Sequence, residues 1–155
     1  MKNSRRRARE FVLQALYQWL VNECGADVLL AQFKERKDFA KADQALVETL
    51  LRGVTGDADA LRSRITPYLD RPIKELSPVE HALLLLAACE LRDHLETPYK
   101  VVINEAIELA KSFGGTDGHK YVNGVLDKLA TELRSVEVKR NLTQRREDVK
   151  ETQHK

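Results

Sequence analysis

Cysteine, proline and glycine are all scarce in this chain, and each shortage removes a class of protein. The two cysteines, Cys24 and Cys89, lie far apart and form no CxxC, which excludes a disulfide framework and a zinc knuckle. Four prolines and seven glycines in 155 residues are too few for a sandwich or barrel with turns every 8–12 positions. The longest apolar run, Ala82 to Cys89, has eight residues, well short of the roughly 20 that span a bilayer. The chain opens on no charged-then-apolar leader, so secretion is not expected. Nucleotide and nucleophile signatures are missing too: no GxGxxG, GxxxxGK[ST] or GxSxG occurs, and His81, His94, His119 and His154 form no HExxH. Neither catalysis nor a metal or cofactor is expected. What remains is a soluble, reduced, cytoplasmic domain.

What is present is charge and helical periodicity. The net charge of +2 conceals an uneven distribution. Residues 1–10 set Lys2, Arg5, Arg6, Arg7 and Arg9 against Glu10, for +4; residues 11–133 carry −5; residues 134–155 carry +3. An acidic body with an arginine cluster at one end is the distribution of a local polyanion site.

The periodicity predicts an all-α chain of about seven helices. Ser4 is a candidate N-cap for a first helix with Ala8, Phe11, Val12, Ala15, Leu16 and Trp19 inward, ending at Gly25. Asp27 would cap a second helix carrying Val28, Leu29 and Phe33. A third would run from about Asp43 to near Gly56, and Asp57 would cap a fourth. Periodicity lapses from Asp70 to Leu76, a connector between an N-terminal half (about 1–70) and a C-terminal half (about 76–135). Ser77-Pro78-Val79-Glu80 is a capping box with proline at N1, opening an almost wholly apolar central helix to about Leu95. A sixth helix carries Val101 to Ala110 and closes at Gly114; Asp117 would cap a seventh with Val122, Val125, Leu126, Leu129 and Leu133 inward. Residues 136–155 are highly charged and read as a mobile tail or a frayed helix extension.

Three features point to binding. Arginines near the start offer planar forks for phosphate oxygens, although charge runs commonly serve as solvated faces. Tyr17 falls opposite the first helix's apolar stripe with Arg6, Glu10 and Leu13, as a protein-contact stripe would; a neighbouring helix covering it is the alternative. Tyr121 flanks the seventh helix's stripe near Gly124, Lys120 and Lys128, a platform on which an unpaired base could stack, or simply the edge of a core.

Pro98-Tyr99-Lys100-Val101-Val102-Ile103-Asn104-Glu105-Ala106-Ile107-Glu108-Leu109-Ala110-Lys111-Ser112-Phe113-Gly114, followed by His119-Lys120-Tyr121-Val122-Asn123-Gly124-Val125-Leu126-Asp127, resembles the signature of the bacterial transcription antitermination factor NusB family. Ser4 to Arg9 leading to Gln14-Ala15-Leu16-Tyr17, and Leu76 to Glu80, match its other landmarks, so the resemblance covers about residues 4–133. It implies two packed three-helix subdomains and a role without catalysis: pairing with NusE, a ribosomal small-subunit protein, on the boxA element of nascent ribosomal RNA within the RNA polymerase antitermination complex. Carried over residue by residue, Lys2, Arg5, Arg6, Arg7, Arg9, Phe113, Gly114, Asp117, Lys120 and Tyr121 would meet RNA, and Leu13, Tyr17 and Glu80 the protein partner. Exposed apolar positions such as Leu13 could instead serve a homodimer. The central helix departs from the family at His81 and Leu85, where relatives often have basic residues, and at Cys89, where an aromatic is common. A helical adaptor that binds only proteins is the competing class. NusB-like domains also precede ribosomal RNA methyltransferase domains, a reading set aside because no Rossmann-type glycine pattern follows before Lys155.

Overall fold

The computed structural model describes the backbone of residues 2–113 and 118–153, with side chains for residues 3–113 and 118–147. Among the described residues there are eight α-helices and no strand: α1 (Lys2–Asn22), α2 (Ala26–Lys34), α3 (Gln44–Gly56), α4 (Ala58–Ile65), α5 (Pro78–Asp93), α6 (Tyr99–Phe113), α7 (Gly118–Leu133) and α8 (Ser135–Gln153).

α5 is the axis of the molecule. Its residues from Ala82 to Leu91 are all buried, because α1, α3, α4, α6 and α7 all pack against it. A helix apolar all round belongs in such a place. It starts where the sequence predicts: the Glu80 N–H donates to Ser77 Oγ at 3.1 Å, and the Ser77 N–H donates to Glu80 Oε1 at 3.3 Å. A helix–helix contact this close needs small residues. A Cβ added to Gly53 of α3 would sit 3.0 Å from Cys89 Sγ, so α3 rests on α5 through that pair.

Several local expectations change. α1 begins at Lys2, so Ser4 lies inside the helix; its carbonyl instead accepts the Asp43 N–H at 2.9 Å, tying α1 to the cap of α3. α1 ends through Glu23, whose φ of 57° is left-handed. Gly25 is the N-cap of α2, with Asp27 in its first turn and Val28 exposed. Asp43 caps α3 by accepting the Leu46 N–H. The Asp57 side chain makes no cap bond and accepts from Arg92 of α5 at 2.7 Å. A 3-10 turn, Lys37–Lys41, was not foreseen; it buries Phe39 against Phe11, with ring centroids 5.1 Å apart. Residues 135–153 form α8, which follows α7 after a break at Arg134.

That break is fixed by one side chain. Arg134 is 5% exposed and donates to the backbone carbonyls of Glu90, Leu91 and His94 at the end of α5, and to that of Thr97 beyond it. Carbonyls in the last turn of a helix have no partner within it, so a guanidinium acts here as a C-terminal cap. Glu137 completes the arrangement, accepting from Arg134 at 2.7 Å and from the Tyr99 N–H at 2.8 Å. The loop between α5 and α6 is thereby held in place beside the start of α1.

Candidate nucleic-acid and partner interface

The arginines of α1 divide into surface and interior. Arg5 donates to Thr97 Oγ1 at 3.2 Å, and Arg6 makes two bonds of 3.0 Å to the Glu105 carboxylate of α6. Glu105, by hydrogen bond and charge, raises the Arg6 guanidinium above its ordinary value. The Arg6 side chain is still 52% exposed, so a phosphate can compete for its fork. With Thr97, Pro98 and Glu105 the two arginines line a groove of about 420 Å³. Arg7 is half-buried.

Arg9 corrects the sequence reading. It is 4% exposed and grips Glu90 of α5, itself 2% exposed, through three contacts of 2.9–3.1 Å. Its guanidinium is paired with Glu90 inside the fold, so Arg9 ties α1 to α5 while also bordering the groove of Arg5 and Arg6. Lys2 opens α1, but its side chain, like all of Gly114 and Asp117, lies outside the described residues.

Farther along α1 a second groove, about 440 Å³, is lined by Leu13, Gln14, Tyr17, Gln18, Val79 and Phe113. Tyr17 and Phe113 are exposed at 41% and 44%. Leu13 is 3% exposed, contrary to its expected outward position: α5 packs along α1, and Leu13 joins the core cluster as the floor of the groove. Val79 comes from the first turn of α5, so the capping box that engages Glu80 also sets one wall.

Tyr121, at the start of α7, is half-buried against the core. The Arg71 guanidinium lies 4.6 Å from its ring centroid, and its hydroxyl accepts the Asp70 N–H at 3.4 Å. Burial pushes the phenol upward. The open platform expected here therefore carries a guanidinium on one face, and Gly124 contributes no clearance, since a Cβ there would meet nothing within 4 Å. Arg71 was missed because the connector has no helical register to place it beside α7. Lys120 is exposed next to Tyr121.

The departures in α5 have local explanations. Leu85 is fully buried. His81 accepts from Arg62 Nε at 3.1 Å, and burial, with the Arg62 charge, lowers it to about 4. It is therefore a neutral ring at pH 7. Burial raises the Cys89 thiol to about 12, leaving it a core filler.

Among the described residues, no group of three or more His, Cys, Asp or Glu is placed to hold a metal ion. No described helix is long and apolar enough to cross a membrane. Fold and surface together define an all-helical protein whose distinctive features are two grooves along α1 and a guanidinium-capped tyrosine. The NusB family model matches residues 6–131. The transcription antitermination protein NusB of Bordetella pertussis is 55% identical over 141 residues, 88% of this chain and 92% of that protein. The NusB of Paraburkholderia xenovorans is 56% identical over 137 residues, 88% and 95% of the two chains. A solved structure of T. maritima NusB superposes with a TM-score of 0.72 at 30% identity, covering 82% of this chain and 90% of that one. The chain belongs to the NusB family, a regulatory family without catalytic activity.

Proposed function

We propose that this protein acts in the cytoplasm as a transcription antitermination factor, binding boxA RNA together with NusE in the RNA polymerase antitermination complex. Its kinship with transcription antitermination proteins supports the process, and the placement of side chains supports the division of labour. One observation carries the reading. Arg6 docks on Glu105 of α6 and Phe113 ends the same helix, about 12 Å apart at 1.5 Å per residue. A phosphate-seeking group of α1, docked on α6, thus stands along the same helix that ends in a base-stacking ring. Arg5, Arg6 and Arg7, with Lys2, would meet phosphates, and Phe113, Gly114, Asp117, Lys120 and Tyr121 would meet bases and sugars. The groove at Leu13 and Tyr17 suits a protein partner, because an exposed aromatic beside an apolar floor is how interface anchors are seated; Phe113, which borders it, would stand between the partner and the RNA. Glu80, engaged in the α5 cap, holds the groove's wall.

The test is a titration of boxA RNA with and without NusE at two salt concentrations. Affinity should rise with NusE, and Arg5→Ala with Arg6→Ala should flatten the salt dependence by roughly one to two, as expected when two phosphate contacts are lost. An unchanged slope would remove the arginines from the RNA surface. Tyr17→Asp should weaken NusE association with unchanged helical circular dichroism. Sedimentation of the protein alone reports whether a second copy occupies the groove instead.

A further inference from the structure

The family match ends at residue 131, and α8 begins at Ser135. Leading into and along α8, Arg134, Val138, Asn141 and Arg145 recur at three- and four-residue steps, the spacing of one helical face. They pass from buried, through half-buried, to exposed. The face therefore leaves the apolar core and becomes polar as it travels. Arg145 then lines a groove of about 350 Å³ with Tyr99, Lys100 and Asn104 of α6 and Asn123 and Asp127 of α7.

The face of α7 that lines this groove also carries Lys120 of the RNA surface proposed above. Lys120, Asn123 and Asp127 share one face of α7, at i, i+3 and i+7. Lys100, Asn104 and Lys111 share one face of α6 with Glu108, which pairs with Lys111 at 3.7 Å. Two polar faces thus run side by side from Lys120 and Lys111 to Lys100, where Arg145 closes the end.

We propose that α8 lengthens the RNA-binding surface, so that a single strand leaving Lys120 follows the α6–α7 trough and its phosphates meet Lys100 and Arg145. The proposal rests on the RNA reading of the protein. The groove's chemistry is that of single-strand binding: two cations for phosphates, two amides for base edges, and the half-buried Tyr99 ring for stacking. Asp127 is an acceptor that turns phosphates toward Lys100 and Arg145 and can take a hydrogen bond from a 2′-hydroxyl.

The experiment uses the full chain with NusE and two single-stranded RNAs: boxA alone, and boxA lengthened by about eight nucleotides on each side, within the site sizes single strands occupy. Lys100 and Arg145 are both exposed, so Lys100→Ala with Arg145→Ala leaves the fold intact, as circular dichroism will verify. The double variant should bind the long RNA about three- to tenfold more weakly and lose about one to two from its salt slope, with the short RNA unaffected. Unchanged affinity and slope on the long RNA overturns the extension, as does an equal loss on both RNAs. In either case the RNA reading stands if Arg5→Ala with Arg6→Ala still weakens both. If the unaltered protein binds neither RNA, the RNA reading fails and this inference with it.

Discussion

Arg9 and Glu90 face each other across the α1–α5 contact, three donor–acceptor contacts of 2.9–3.1 Å between side chains less than 5% exposed. Two charges in such a place satisfy one another, and neither can be removed without leaving its partner stranded. Arg9→Ala or Glu90→Ala should each cost about 3–5 kcal/mol, whereas replacing both by apolar residues of similar volume should recover most of the loss. Urea denaturation of the two single variants and the double variant measures this. Under conditions where Arg9→Ala remains folded, its RNA salt slope should equal that of the parent.

Arg134 supports a prediction about local order. Arg134→Ala removes the donor shared by four backbone carbonyls; those of Glu90 and His94 keep the N–H groups of His94 and Thr97, so the loss should be about 2–4 kcal/mol, chiefly from the acceptors of Leu91 and Thr97. Hydrogen exchange should accelerate most at the amides of His94 and Thr97, which bond within the same loop. Uniform acceleration across the molecule would show that Arg134 has no local role.

His81 makes stability depend on pH. Its folded value lies near 4, below the ordinary 6.5, so between those values the unfolded chain binds more protons than the folded one. Stability from this group is fully present above pH 6.5 and is lost as pH falls toward 4. His81→Gln keeps a neutral acceptor for Arg62 and should flatten the acid limb of the stability profile in that window. Chemical denaturation at several pH values checks it.

Tyr121 distinguishes a stacking ring from a hydroxyl contact. Tyr121→Ala should weaken RNA binding by about 1–3 kcal/mol if a base stacks on its ring. Tyr121→Phe should preserve binding, because the hydroxyl serves Asp70 in the connector. If Arg71→Ala strengthens binding, the guanidinium competes with the base for that ring face; if it weakens binding, the two share it.

The helices were legible because apolar residues recur with the helical period, and α5 because a capping box and an unbroken apolar run coincide. Phe39 was not legible: a five-residue turn has no period to detect. Arg9 looked like its exposed neighbours because charge alone does not reveal a carboxylate 81 positions away. Leu13 was placed by the helical wheel of α1 alone, which cannot show the flank that α5 covers. For Tyr121, spacing located the ring correctly beside the stripe but could not bring Arg71 to it. The residues most visible in sequence were those governed by their own helix; the rest depended on distant partners.

Thr97 receives Arg5 on its hydroxyl and Arg134 on its carbonyl, so an early-made and a late-made segment meet on one short loop. A domain folds as a unit only once its segments have left the ribosome. Until residue 134 emerges, the last carbonyls of α5 lack this cap and the floor beside Arg5 is only half built. The arginine groove is thus among the last surfaces completed during synthesis, and a nascent chain should acquire it only after α7 has been made.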